Sequence, residues 1–415
     1  MNRKIKLLLG GFILLFAATA CNDADGPKIN RGEPLQLTPQ EQQMAASANE
    51  FALDLFKTLN QGREAQNTLV SPYSAMQVLA MVANGADGAT RQEIVDALRM
   101  GDNVDEINSY IEHLRTGLVK ADPNSVLLSS NSIWLNKGLE PVELFKQNCA
   151  TYYGASCKSI DFSSSKATDV INKWVSDGTK GMIPSMFSRI DPGAKLYALN
   201  ATYFHGMWTN PFRLKRMHAF YNLDRKRERV AFMFEDFYFQ HYDDTTGVSL
   251  LRLPYGNQCY EMDILIPNDK ININDCIKSL TLGQINEMLD GASPSGHDDK
   301  YKVGLPMFET AFDYDMIKVF KSIGIKSAFS SSADLSKLIK ATNVMLTEAK
   351  QTSKIKVNEE GTEVATVTTV KGDEMATITH NQFIVDSPFI YMIRECNSGA
   401  ILFIGKMVSI KQTQQ

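Results

Sequence analysis

The chain reads as one large domain of the α+β class. Three observations carry that reading. Several stretches repeat apolar residues at helical spacing, separate runs of β-branched and apolar residues are bounded by turn signals, and no long Pro/Gly/Ser linker divides residues 41–410 of the 415-residue chain. The domain has ample chain to bury a core.

The elements follow in order. Glu41–Leu59 places Phe51, Leu55 and Leu59 on one helical stripe, and Thr90–Leu98 and Asp105–Val119 repeat the spacing. Ser249–Leu253 and Glu261–Ile266 are expected strands, each ended by a turn containing a proline, Pro254 and Pro267. Tyr314–Ile323 is expected to be a helix stopped by Gly324. The best break in the domain, Gly291–Asp299, is only a loop's length.

The first residues stand apart. Arg3, Lys4 and Lys6 precede the apolar run Leu7–Ala20, which is too short to span a bilayer, so residues 1–20 read as a secretory signal peptide. Two cleavages fit. An Ala18-Thr19-Ala20 site releases a soluble secreted protein, whereas a small residue before Cys21 resembles a bacterial lipobox, in which Cys21 becomes the lipidated N-terminus. The second is the preferred expectation: an exported bacterial lipoprotein held to a membrane through Cys21, at the outer membrane, the cell surface or facing the periplasm. Residues 21–40, rich in Asp, Pro, Gly and Gln, read as a lipid-anchored flexible tether, which leaves 41–415 as the folded domain.

Five further cysteines, Cys149, Cys157, Cys259, Cys276 and Cys396, are odd in number and irregularly spaced, so they form no disulfide framework; a Cys149–Cys157 pair stays open. No CxxC or Cys/His cluster suggests a metal, and no cofactor is expected. The chain has no GxSxG, HExxH, GxxxxGK[ST] or strand-borne GxGxxG. Its six histidines are scattered, and Ser163-x-x-Lys166 lies in a Ser-rich stretch without a companion motif, so no enzyme is legible. A net charge of −4 argues against general nucleic-acid binding. Arg213, Lys215, Arg216, Arg225, Lys226, Arg227 and Arg229 form the one basic cluster, interrupted by Asp224 and Glu228 and read as a solvated loop and strand face.

The most informative window is Val357–Val370, VNEEGTEVATVTTV, followed by the polar KGDEMATITHNQ. A run of strand-forming, uncharged residues leads into what looks like an exposed loop. As a strand, Thr362, Val364, Thr366 and Thr368 line one face and Glu363, Ala365, Val367 and Thr369 the other, so one face carries no charge.

Glu359-Glu360-Gly361-Thr362-Glu363 followed by small residues resembles the hinge of the serpins. Five other blocks match in order. Asn67–Ser74 resembles the signature at the start of the family's helix B, Ile171–Val175 with Thr179 and Gly181 its helix F region, and Leu199–Trp208 the central strand. Leu253–Gly256 leading into Met262–Pro267, and Ser387–Ile390 with Ile401–Lys406, complete the set. The resemblance implies the serpin fold: three β-sheets, about eight or nine helices and an exposed reactive-centre loop.

It also implies a function and a set of roles. Inhibitory members are monomers that trap a serine protease, or in some cases a cysteine protease, as a covalent acyl-enzyme while the cleaved loop enters the main sheet. The resemblance has Glu359 and Glu360 close a strand of that sheet, Gly361 permit a turn, and Thr362, Glu363, Val364 and Ala365 begin the inserting segment; Val364, bulkier than the usual Ala, is expected to slow it. Ser71, Ser74 and Asn200 match the polar cluster beneath the sheet opening, Gln351 stands where many members carry a histidine, and Trp208 matches the aromatic where insertion starts. The family's spacing from Glu359 puts the reactive bond between Met375 and Ala376, with Glu374 and then Lys371 as alternatives. Met375 suits elastase-, chymotrypsin- or subtilisin-like pockets. Helices that mix acids and bases imply no heparin activation. A non-inhibitory member acting as a surface binding module is the other reading.

Overall fold

The computed structural model describes residues 32–244, 247–294, 301–362 and 382–411. Helix α1 (Pro39–Asn60) opens on a capping box, with Thr38 accepting from the Glu41 N–H while the Glu41 carboxylate accepts from the Thr38 N–H at 2.8 Å. Strand β1 (Thr68–Val70) leads into α2 (Pro72–Gly85), which Ser71 caps and Pro72 starts. Then come α3 (Gly88–Leu98), α4 (Val104–Ala121), β2 (Ser125–Asn136), α5 (Glu143–Tyr153), β3 (Ser156–Ile160), α6 (Ala167–Gly178) and β4 (Leu196–Met207). The chain continues through β5 (Leu214–Tyr221), β6 (Arg227–Phe237), β7 (Gln240–Tyr242), β8 (Val248–Tyr255), β9 (Tyr260–Pro267), α7 (Ile273–Ser279), α8 (Leu282–Gly291) and β10 (Ser293–Pro294). It closes with β11 (Tyr301–Pro306), β12 (Phe308–Asp315), α9 (Ile317–Ser322), β13 (Glu348–Val357), β14 (Gly361–Thr362), β15 (Gln382–Ile384), β16 (Phe389–Glu395) and β17 (Ile401–Met407).

The described strands form three sheets. The main one has the order β12-β13-β14-β4-β2-β3; the others are β1-β17-β16-β9-β8-β7-β10 and β15-β11-β6-β5. Strand β4 is buried on both faces, which its nearly unbroken apolar sequence anticipates. Leu196, Ala198 and Phe204 join the main core, while Tyr197, Leu199 and Ala201 pack with Ile171 and Val175 of α6 in a second cluster. Helix α2 carries no charge and is buried almost all round, so it serves as the floor on which the main sheet rests.

Several expectations change. Tyr314 and Asp315 belong to β12, not to a helix, because Phe308, Thr310 and Phe312 alternate inward and pair with β13; α9 begins at Ile317. Pro254 lies within β8, opposite Glu261 of β9, and Pro267 is the last residue of β9. Gly291–Asp299 is not all loop, since Ser293 and Pro294 pair with β7. The end of the expected tether is packed: Leu35 is buried in the slot left by Gly117, where a Cβ would come within 2.3 Å of it, and the Glu33 N–H donates to Lys120 O at 3.0 Å. One apolar residue in a polar stretch is enough to dock it.

All five described cysteines are free thiols, Cys149 and Cys157 being joined by a hydrogen bond between their side chains. No helix among the described residues is long and apolar enough to cross a membrane. Residues 1–31, with Cys21, lie outside the described residues, as do Glu363, Val364, Ala365, Glu374, Met375 and Ala376.

Candidate functional site

Near the middle of the main sheet two strands run side by side in the same direction, forming a seam; the other described parallel pair of this sheet, β2 with β3, lies at its edge. β13 and β4 pair in parallel from Glu348↔Tyr197 to Lys354↔Tyr203. Above that point the short β14 stands between them, antiparallel to both: Thr362 lies opposite Val357 of β13 and opposite Gly206 of β4. The seam is closed below and wedged open at its top by the hinge.

Local sequence explains the wedge. β13 ends at Val357, one residue before the turn, so Glu359 and Glu360 lie in the turn rather than closing the strand. Asn358 builds that turn, its side-chain oxygen accepting from the N–H groups of Glu360 at 3.0 Å and Gly361 at 3.1 Å. Gly361 then crosses onto β4 so closely that a Cβ there would come within 2.0 Å of Gly206 O, with φ at +156°. Thr362 follows, fully buried, its hydroxyl 2.7 Å from the phenol of Tyr255 at the end of β8.

Trp208 holds the turn from below. Its indole N–H donates to Asn358 O at 2.8 Å, its backbone N–H to Glu360 O at 2.8 Å, and its ring stacks on Tyr255 with centroids 4.5 Å apart. The Phe212 N–H donates to Glu359 O at 2.9 Å. The Glu359 carboxylate pairs with Lys215 of β5, both side chains being mostly buried. Lys215 is therefore not part of a solvated face, as the basic cluster suggested. Its partner is brought to it by the fold.

Lower on the seam, Ser71, Ser74, Asn200 and Gln351 come together. Gln351 of β13 reaches the start of α2 with both ends of its amide, donating to Ser71 O at 2.7 Å and accepting from the Ser71 N–H at 3.1 Å. Ser74 donates to Ser71 Oγ at 2.9 Å and lies 2.6 Å from the Thr202 hydroxyl. Thr202 donates to Asn200 Oδ1 at 2.7 Å, and the Asn200 amide donates to Asn131 Oδ1 at 2.7 Å and to Ser129 Oγ at 3.1 Å. The relay ties β13, β4 and β2 to α2 through fully paired buried groups. Sequence reasoning missed Thr202, Ser129, Asn131, Tyr255 and Asn358, and only the inward parity of Thr202 with Asn200 on one strand could have flagged any of them.

At the foot of the seam, burial pushes the Glu348 carboxyl up to about 7; Asp315, Asp313 and Asp191 add to that rise, while Lys350 opposes it. Burial also pushes the Tyr255 phenol well up, so it stays protonated and can donate to Thr362. A surface cavity of about 620 Å³, lined by Tyr221, Arg225, Lys270 and Asp386 among others, shares no residue with the hinge or seam.

Comparison with known proteins bears on this arrangement. A family model described as "Serpin (serine protease inhibitor)" matches residues 46–410. The leukocyte elastase inhibitor of Sus scrofa is 30% identical over 387 residues, covering 89% of this chain and 100% of that protein. Among solved structures, a thermophilic serpin, Tengpin, in the native state superposes with a TM-score of 0.79 at 28% identity, covering 91% of this chain and 96% of that one. Thyroxine-binding globulin complexed with thyroxine shares the fold with a TM-score of 0.80 at 24% identity, covering 88% and 99%.

Proposed function

The chain belongs to the serpin family, and we propose that it is a suicide-substrate inhibitor of serine proteases that traps its target by inserting its cleaved loop between β13 and β4. The observation that carries this reading is Thr362. The first residue of the run's uncharged face already stands between the two strands, in register with both. After Thr362 the same face is filled by Val364, Thr366 and Thr368, none of which would bring a charge into the sheet.

Energetics support a spring. Opening the seam breaks one parallel ladder, and a full strand set between β13 and β4 makes two antiparallel ones. About a dozen new backbone hydrogen bonds at roughly 1 kcal/mol each, with added apolar burial, contribute on the order of 10 kcal/mol. The uncleaved fold is then held by a barrier, supplied by the β13–β4 pairing and the relay from Gln351 to Asn200, rather than by depth.

The reactive bond is assigned to Met375–Ala376, with Glu374 next, and the targets to elastase-, chymotrypsin- or subtilisin-like proteases. An elastase inhibitor among the relatives accords with an apolar bait residue. The chain acts as an inhibitor rather than a catalyst, with no heparin cofactor, as a monomer. Membrane attachment through a lipidated Cys21 on an exported bacterial protein remains part of the proposal.

The test is to mix residues 21–415 with pancreatic elastase or chymotrypsin. A complex that survives denaturing electrophoresis, with a released peptide that starts at Ala376, is the expected result. Complete cleavage without a complex would leave a substrate or a surface binding module.

A further inference from the structure

Helix α5 buries a single stripe, Phe145, Cys149 and Tyr153, each four residues from the next. That stripe rests on the helical layer beneath the main sheet: Phe145 leaves no room for a Cβ at Gly85 of α2, which would come within 3.0 Å of its ring, and the Tyr153 hydroxyl donates to Asn108 of α4 at 2.5 Å and accepts from Asn84 of α2 at 3.1 Å. The chain then turns back beside the helix it has just left. Gly154, with φ at +58°, ends α5, and the Ala155 N–H donates to Cys149 O at 2.9 Å, so β3 starts against the last turn of the helix.

Strand parity does the rest. Lys158 of β3 lies over the ring of its partner Trp134, which packs in the cluster with α6, so the neighbouring pair, Cys157 and Ile133, faces the opposite side of the sheet, toward α5 and the main core. Cys149 and Cys157 thus meet from two elements, and their thiols are hydrogen-bonded to each other. Cys149 is fully buried, whereas Cys157 is partly exposed. The hydrogen bond from Cys149 holds the Cys157 thiol below its ordinary range against the opposing effect of burial, with Lys146, one turn before Cys149, adding to the fall; the Cys149 thiol is pushed up. One sulfur is therefore the accessible nucleophile, and the other stands behind it with its proton.

We propose that Cys149 and Cys157 form a reversible oxidation site for a small disulfide such as oxidised glutathione, and that closing it fastens the edge strand β3 of the main sheet to α5. The Cys157 thiolate, its proton lost to solvent, attacks one sulfur of the small disulfide and expels the other half as a thiolate. Cys149 then gives up its proton and attacks the Cys157 sulfur, forming the Cys149–Cys157 bond and expelling the second half. Two protein thiols lose two electrons and two protons, and one small disulfide becomes two thiols. Nothing in this chemistry depends on protease inhibition.

The test is to incubate the full chain with excess oxidised glutathione under native conditions, map the linked peptides by mass spectrometry and compare melting temperatures with and without dithiothreitol. The expected product is a Cys149–Cys157 link that dithiothreitol reverses, in a protein that melts roughly 2–4 °C above its reduced form, because the bridge closes only a short loop. Cys149→Ala should stop at glutathione held on Cys157, since the second thiol is missing, and Cys157→Ala should leave Cys149 unmodified, since that thiol is buried. Each variant alone would report the order of the two steps. Both thiols remaining free in the wild type, glutathione retained on Cys157 there, or a link between Cys259 and Cys396, whose backbones are joined by a 2.8 Å hydrogen bond, in place of the expected one would overturn the assignment. A linked protein that melts with the reduced one would overturn the fastening of β3.

Discussion

The Tyr255 phenol lies 2.7 Å from the hydroxyl of Thr362, so the first residue of the hinge run is tied beneath the main sheet before any cleavage. Thr362 is fully buried there, with β13 on one side and β4 on the other. Thr362→Arg would have to place a long cation in that space without a partner. Inhibition is expected to give way to simple cleavage: the bait bond is still cut, and the denaturant-resistant complex disappears on gels. An unchanged stoichiometry of inhibition would place position 362 outside the inserting strand.

Gln351→Ala tests the barrier. It removes both amide bonds to Ser71 and leaves the buried Ser71 N–H without its acceptor. A loss of about 2 kcal/mol from the uncleaved state is expected, read as a lower urea midpoint at an unchanged slope. The relay beyond Ser71 is intact in this variant, so activity should fall less than stability.

Glu348 makes stability depend on pH. Its folded pKa, raised to about 7 chiefly by burial, lies above the ordinary value, so the native state holds a proton that the unfolded chain releases. The contribution is complete below the ordinary carboxylate range and is lost as pH rises through about 7. The melting temperature of wild type should drop between pH 5 and pH 8 more than that of Glu348→Gln. Parallel curves would show that Glu348 is ionised throughout.

Mild peroxide should act as an off switch if Met375 is the bait residue. The sulfoxide is polar and fits an apolar protease pocket poorly. The association rate with elastase should fall far more than the melting temperature, and Met375→Leu should resist. Equal sensitivity of the two proteins would shift the bond to Glu374, to be checked with a Glu-specific protease.

Cys21→Ala should abolish uptake of labelled fatty acid and release the protein from membranes. If the mature wild type takes up no label, cleavage between Ala20 and Cys21 is that of an ordinary signal peptidase.

Much of the hinge was legible because its information is local. Asn358, Gly361 and the run of small and β-branched residues after it lie close together in sequence, and the demand for glycine comes from a turn that brings the backbone against Gly206. The relay was legible only in part. Ser71, Ser74, Asn200 and Gln351 sit in recognisable blocks, whereas Ser129 and Asn131 lie in a strand whose polar residues read equally well as a solvent face. Lys215 was misread because a basic cluster on an edge strand is usually solvated, and nothing near it in sequence announces Glu359. The helix expected from Tyr314 starts only at Ile317 for a related reason: Tyr314 stands three residues before Ile317 and two after Phe312, so it fits either period, and pairing with β13 decided between them.

By itself, then, the sequence determined the family, the turn at Gly361 and the alternation of uncharged residues that begins at Thr362. These depend on φ/ψ limits and on the two-residue period of a strand, which adjacent residues settle among themselves. Only the tertiary structure decided that Thr362 already stands in the seam, that Gln351 closes on Ser71, and that the Cys149 and Cys157 thiols meet. Those outcomes depend on which strand lies opposite which, a choice made by long-range pairing and close packing after distant segments have met.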